Sequence, residues 1–303
     1  MRAKYLFPHW LGPIGYLLAI PGLLLGFMVV YHEFEIPGFG VNMRAHSTLF
    51  STAFENLTNE LAIILSVTGL LLIAFSRRKN EDELTARLRL DALYWAVVVN
   101  YTTFFGLIII SDQIIPAFVE VDLITLTLDG NSTLAFNLYM PLIIFIARYN
   151  FLLYRNQDNY IVPKLRYLPA RPYRKIGIAI SLVCLIWIES QTFSFFEPSW
   201  KSNVTEILFY FLIPGLLLWG FSRSKNEDEG IAQLRLESLQ LAVYLNFALL
   251  LIFTLSIYGV LFLVIAAKYM YSLLVFFNVI FEIKKYLYMR QEELNTEKGG
   301  ILR

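Results

Sequence analysis

The sequence predicts an all-α polytopic membrane protein of about eight transmembrane helices, arranged as two parallel four-helix repeats. Three observations predict it. The 303 residues are 57% hydrophobic and 16% charged, with mean hydropathy +0.57, whereas a soluble domain carries about 25% charge. The cations are confined to one set of loops. And FSRRKNEDELTARLRLDALYWAVVVNY (75–101) returns as FSRSKNEDEGIAQLRLESLQLAVYLNF (221–247), with 16 of 27 positions identical at an offset of 146.

A spanning helix needs about 20 mostly apolar residues. Eight segments qualify, roughly 11–31, 59–75, 92–111, 134–154, 174–195, 204–221, 238–257 and 259–282. The first contains Pro13 and Pro21 and lacks a small-x-small cleavage pattern, so it reads as a span and not as a cleaved leader. The sixth is short, but Asn203 and the charged loop after Phe221 fix its limits.

Lys and Arg favour the cytoplasmic side of a membrane. Of the 25, 21 fall in the N-terminus, the loops 76–91, 155–175 and 222–237, and the tail; Arg44 and Lys201 fall on the other side, and Arg148 and Lys268 lie within spans. Both termini are therefore expected in the cytoplasm. The opposite side is acidic, with Glu33, Glu35, Glu55, Asp112, Glu120, Asp122, Asp129 and Glu197. It also carries three N-x-T/S sequons, at Asn56, Asn131 and Asn203, which are either glycan acceptors or ordinary loop sequence.

The self-similarity extends outward. Residues 56–75 align with 203–221 with one gap, and 139–155 align loosely with 269–285. The segment 112–133 has no counterpart. Each unit then holds four spans, and an even number makes the repeats parallel. The expected organisation is a first repeat at 1–154, a basic linker at 155–175, a second repeat at 176–285 and a cytoplasmic tail at 286–303. Pro163, Pro169 and Pro172 argue for an extended linker. Phe and Tyr together number 43, Gly only 16, and no GxxxG recurs in the spans, so packing through large side chains is expected over close backbone contact.

Within the doubled segment, Asn80 with Glu83, and Asn226 with Glu229, read as N-cap and N3 of a capping-box variant. Glu83–Arg87 and Arg87–Asp91 are spaced as i,i+4 pairs. Asn100 and its mate Asn246 fall about ten residues, or roughly 15 Å, beyond the start of the apolar run, near mid-bilayer. Two readings of the segment stay open. One is capping and anchoring. The other is a paired cytoplasmic docking surface built from Arg77, Lys79, Glu81, Arg89 and Asp91 with Arg223, Lys225, Glu227, Arg235 and Glu237.

Other polar residues carry alternatives too. Arg148 is a snorkelling or interhelically bonded residue, or a ligand contact. Lys268 needs a carboxylate, with Glu189 and Glu206 the available partners, or else marks a substrate or ion site. His32, Glu33, Glu35 and His46 form a weak outer-loop candidate for a metal. The lone Cys184 excludes a disulfide framework, and a net charge of +1 offers no field for nucleic acid. No P-loop, GxSxG or GxGxxG occurs, so no cofactor is expected.

The pattern SRxKNEDE…LRLxSLxxAVxxN, together with FIARYNFLLYR, resembles a family of bacterial inner-membrane proteins of unassigned function. The resemblance covers most of both repeats. It implies a bacterial inner membrane and carries over no catalytic residues.

The expected function is a non-enzymatic membrane module for sensing or coupling to a protein partner through the repeated cytoplasmic segments. A small-solute transporter or channel, with a polar site around Lys268, Asn100 and Asn246, is the first alternative. Pro141 and Pro214 kink non-equivalent spans and speak against it. The second alternative is a membrane enzyme using the outer His/Glu cluster.

Overall fold

A computed structural model describes residues 5–42, 54–79, 82–110, 130–155, 167–192, 199–224, 228–258 and 260–301. Among them are eight long α-helices: α1 (Leu11–His32), α2 (Thr58–Phe75), α3 (Glu83–Ile109), α4 (Gly130–Arg155), α5 (Lys175–Thr192), α6 (Ser199–Phe221), α7 (Glu229–Ser256) and α8 (Val260–Ile301). Five are long and apolar enough to cross a membrane, namely α1, α2, α3, α7 and α8, and Ile207–Phe221 of α6 is a shorter apolar stretch. One element was not expected. Strands β1 (Gly40–Asn42) and β2 (Phe54–Asn56) pair antiparallel between α1 and α2.

Each helix has a local cause. α3 runs 27 residues, beginning well before its apolar run. Its start differs from expectation: the N-cap is Asp82, whose side chain accepts from the Thr85 amide at 2.8 Å, while Thr85 Oγ1 accepts from the Asp82 amide at 3.0 Å. Asp228 does the same for α7, accepting from the Ile231 amide at 2.7 Å. A carboxylate at this position meets an orphan amide and the positive end of the helix dipole at once. Asn80 and Asn226 lie outside the described residues, and Glu83 and Glu229 are first-turn residues, not N3. α8 continues for 42 residues, so the tail is the same helix; no Gly or Pro interrupts 260–298.

Of the linker, 156–166 lie outside the described residues. Leu168 is extended and forms a parallel bridge to Ser222, and a tight turn at Ala170–Arg174 leads into α5.

The described residues fall into two compact units, one drawn from 1–164 and 247–270, the other from 165–246 and 271–303. In the first, α1 lies against α2 at backbone distance. A Cβ on Gly22 would stand 2.4 Å from the Ser66 amide, and one on Gly69 2.4 Å from the Ala19 amide. In the second, α5 lies against α6 in the same way, with a Cβ on Gly177 falling 2.5 Å from the Trp219 amide. Large-side-chain packing therefore fails as a description of these two pairs. The close approach is made by small residues facing each other across two helices, Gly22 opposite Ser66 and Gly69 opposite Gly15 and Ala19, and of these four helices α1 alone carries a GxxxG, at Gly22–Gly26.

Aromatic packing holds elsewhere. Phe75 of α2 meets Phe145 of α4 at 5.2 Å, and Phe145 is followed by Tyr149. In the second unit Phe221 of α6 meets Phe277 of α8, also at 5.2 Å, and Phe277 is followed by Phe281. By packing, Phe145 corresponds to Phe277, an offset of 132 and not the 130 that the YM text suggests. The shared letters at 139 and 269 are displaced by half a turn from the rings that do the same job.

Candidate functional site

The doubled segment centres on an arginine that is buried in each unit. Arg89 is 2% exposed and Arg235 1%. Arg89 Nη1 donates to the carbonyl of Ala74 at 2.9 Å; Nη1 and Nη2 both donate to that of Ser76 at 3.2 Å. Arg235 Nη1 donates to the carbonyl of Gly220. Ala74 and Gly220 are themselves 146 apart, each fifteen residues before its arginine. The last carbonyls of a helix have no intrahelical donor and form the negative end of its dipole. A guanidinium, with five donors in a planar fork, answers both needs. Its faces are covered as well. Arg89 lies 4.8 Å over the Tyr149 ring, whose hydroxyl it also bonds at 3.2 Å; Arg235 lies 4.3 Å over Phe281 and 4.7 Å over Tyr167.

The serine of the repeated FSR triplet belongs to the same junction. Ser76 Oγ turns back to the Leu72 carbonyl at 2.5 Å, and Ser222 Oγ to that of Leu218. The backbone then pairs with an incoming strand. Phe7 N donates to Phe75 O at 3.0 Å and Arg77 N to Phe7 O at 2.9 Å; Leu168 N donates to Phe221 O at 3.1 Å and Arg223 N to Leu168 O at 2.9 Å. A proline follows the strand residue each time, Pro8 or Pro169, and ends the pairing.

The acid two residues after each arginine is paired. Asp91 meets Arg148 at 3.1 Å, with Arg148 also 5.4 Å from the Trp95 ring centre. Asp91 is thus turned to α4, not set up as the i,i+4 partner of Arg87. Glu237 accepts from Gln233 at 3.0 Å and stands 3.9 Å from Lys284.

These contacts revise the expected docking surface. Arg89, Asp91 and Arg235 are buried and Glu237 is half-buried, so none offers a surface to a partner. Arg77, Lys79 and Arg223 are exposed. Glu81, Lys225 and Glu227 lie outside the described residues. The exposed cations are unequal in setting. Arg77, Arg78 and Lys79 line a cavity of about 500 Å³ with Leu6, Pro8 and His9. In the second unit Ser224 stands where the first has Arg78, and it accepts from Arg174 at 2.8 Å; Arg174 is also paired with Glu282, which accepts from Trp219 at 3.0 Å. Sequence reading counted Arg174 only as a linker charge and missed this network.

The polar residues expected within spans divide. Arg148 makes an interhelical ion pair. Asn100 is fully buried in α3, and Asn246, 2% exposed, accepts from Ser272 Oγ at 2.5 Å. Lys268 is half-buried in α8. Glu189 accepts from the Tyr271 hydroxyl at 3.1 Å, and the side chain of Glu206 lies outside the described residues. Asn278, fully buried and donating to the Leu216 carbonyl at 3.1 Å, was not singled out. Its signal was available as the lone amide in the apolar stretch of α8.

Between α1 and α2, Glu35 accepts from Asn56 Nδ2 at 3.2 Å, and Glu33 is the left-handed C-cap of α1. His32 lies 5.9 Å from the Phe27 ring, and His46 is outside the described residues. Among the described residues no three His, Cys, Asp or Glu stand together as a metal cluster would require. The Asn56 sequon has a structural use, since Asn56 Oδ1 accepts from the Thr58 hydroxyl at 2.6 Å and Thr58 Oγ1 accepts from the Ile36 amide at 2.9 Å. Comparison with protein-family models, with curated proteins and with solved structures finds no match to this chain.

Proposed function

We propose that this chain is a non-enzymatic multi-pass protein of a bacterial inner membrane, crossing it eight times as two parallel four-helix repeats with both termini cytoplasmic. Its role in this reading is sensing or coupling, through the basic loops that follow α2 and α6. The observation that carries it is the split within the doubled segment. Its LRL half is engaged in capping α2 and α6, while its SRxK half leaves Arg77, Lys79 and Arg223 exposed. Capping needs the arginine and the serine and does not need the exposed cations. Recurrence of the same capping contact in both units, at the same sequence offset, supports the repeat. The 21 cations on one set of loops support the orientation. The transport reading is weakened because Arg148 and Asn246 already have protein partners.

The test is native mass spectrometry after gentle extraction, on the parent and on Arg77→Glu with Arg223→Glu. A second polypeptide lost only in the variant is the expected result. An unchanged set of bound proteins, with folding intact, removes the coupling role. Topology is checked separately in a Cys184→Ser background. Phe54→Cys should react with an impermeant maleimide from outside, and Glu293→Cys only from within.

A further inference from the structure

We propose that the cavity beneath the first unit, lined by Leu6, Pro8, His9, Arg77, Arg78 and Lys79, binds the headgroup phosphate of an anionic glycerophospholipid. The inference rests on the membrane reading of α1 and α2 and is independent of any protein partner. Three features of the site point the same way.

The first is depth. α1 starts at Leu11 and α2 ends at Phe75, and both are long and apolar enough to span. The parallel bridge of Phe7 to Ser76 ties the two ends together. His9 and Arg77 are each two residues outside a span, and the interfacial layer beyond the hydrocarbon is only about 5–8 Å deep on each side. The cavity therefore opens at the level of lipid phosphates, not in bulk water.

The second is charge. The cavity brings two guanidiniums, one ammonium and an imidazole around about 500 Å³. Among the described residues no carboxylate stands within 4.0 Å of Arg77 or Lys79. By contrast, two other arginines of this unit are answered internally, Arg89 by carbonyls and Arg148 by Asp91. A forked guanidinium suits phosphate oxygens, and an ammonium supplies a further point charge.

The third selects a lipid over a soluble anion. Leu6 and Pro8 give the cavity an apolar wall. Tyr5 and Trp10, on either side of it in sequence, are 59% and 57% exposed. Exposed Tyr and Trp at span ends are interfacial anchors, so the rim matches glycerol and upper acyl chain while the floor matches phosphate. The second unit lacks this set. Ala170 stands where His9 does, two residues after the bridging Leu168, and Ser224 replaces Arg78.

The experiment titrates the full chain in nanodiscs and in detergent with phosphatidylglycerol and phosphatidylcholine, reading bound lipid by native mass spectrometry. The expected result is one phosphatidylglycerol held about tenfold or more tightly than phosphatidylcholine. Each removed cation should weaken it about fivefold, so Arg77→Gln with Lys79→Gln loses about 25-fold while Arg223→Gln loses nothing. The single variants Arg77→Gln and Lys79→Gln cover the case in which the double variant does not fold. Unchanged binding by a folded Arg77→Gln, Lys79→Gln protein overturns the site. Equal loss in Arg223→Gln overturns it too, by reducing the effect to diffuse surface charge. Complete displacement of phosphatidylglycerol by millimolar inorganic phosphate assigns the cavity to a soluble anion and overturns the lipid. A chain that stays out of nanodiscs altogether removes the membrane reading first, which separates that failure from failure of the site.

Discussion

Arg89 and Arg235 perform one task with different neighbours. In the first unit the ring from α4 is Tyr149, whose hydroxyl joins the guanidinium's hydrogen bonds. In the second, the ring at the matching place in α8 is Phe281, which offers only its face, and Tyr167 from before α5 supplies another ring. The acids differ in parallel. Asp91 pairs with Arg148, one residue before Tyr149; Glu237 pairs with Lys284, three residues after Phe281. Those two cations sit four positions apart relative to their rings, which is one helical turn along the same face. The extra methylene of glutamate accompanies that step. What the two units share is the requirement to satisfy the end of the second helix with a planar cation. The groups around the cation are free to change so long as its donors and faces stay covered.

The strongest way to break this comparison is to remove the cation. Arg89→Met leaves the carbonyls of Ala74 and Ser76 and the hydroxyl of Tyr149 without their charged donor. At about 1–3 kcal/mol per buried group left unpaired, the expected loss is about 3–5 kcal/mol, read as the free energy of unfolding in mixed micelles. Arg235→Met should lose a comparable amount. Arg89→Lys should not rescue, because an ammonium cannot reproduce the fork. A neutral Arg89→Met would mean that the carbonyls find other donors and that capping is not the segment's role.

Next in size is the backbone contact between the first two helices of each unit. Gly69 and Gly215 match at the 146 offset, but a Cβ on Gly69 would meet the Ala19 backbone at 2.4 Å, whereas one on Gly215 would meet the side chains of Ile180 and Ser181 at 3.0 Å. Backbone cannot yield as a side chain can. Gly69→Ala should cost about 2–3 kcal/mol, at the upper end of overpacking costs, and Gly215→Ala less than about 1. Equal costs would show that Gly215 is held as closely as Gly69.

Helix positions were legible because apolar runs of spanning length leave few options, and α3 was legible beyond its apolar run because charged text continues the helix with no Gly or Pro. The cap of α2 by Arg89 was not legible, since its acceptors are backbone carbonyls whose identity no side-chain pattern records. Close approach at Gly15 and Gly69 escaped for a related reason: the small residues face one another across two helices, and a motif search reads along one, where it meets only the single GxxxG at Gly22–Gly26. The pairing of Asp91 with Arg148 needed the α3–α4 register, which no repeat in the sequence records, and the loose match of 139–155 to 269–285 set α4 against α8 two residues out of step. The exposed SRxK cations were legible as charges; that Arg77 to Lys79 share a cavity with Leu6 to His9 required the bridge at Phe7.

The acid pairs sharpen the comparison at smaller scale. Asp91 and Arg148 have side chains 5% and 35% exposed at 3.1 Å; Glu237 and Lys284 are 14% and 25% exposed at 3.9 Å. The first pair is shorter and makes a charge-assisted hydrogen bond. With 35% of the Arg148 side chain exposed to solvent, a double-mutant cycle on Asp91→Asn and Arg148→Met should return about 1–2 kcal/mol of coupling, against about 0.5 for Glu237→Gln and Lys284→Met. Reversed values would put the tighter junction in the second unit.

The smallest expected difference lies in the caps. Asp82 and Asp228 both accept from the N3 amide, but N3 is Thr85 in α3 and Ile231 in α7. Only threonine can return the bond, and Thr85 Oγ1 accepts from the Asp82 amide. The Thr85 amide, then its hydroxyl, hold the Asp82 carboxyl below its ordinary value. A lowered carboxyl pKa gives stabilisation that is present above the unfolded value and lost as pH falls through the folded one. Protection of the α3 first turn against hydrogen exchange should therefore fall on acidification below about pH 4. Asp82→Ala should remove that dependence along with about 1 kcal/mol of local stability, and Thr85→Val about half as much. Ile231→Thr should give α7 the reciprocal bond it lacks and raise protection of its first turn. If Ile231→Thr changes nothing while Thr85→Val still opens α3, the asymmetry does not reside in the third helical residue.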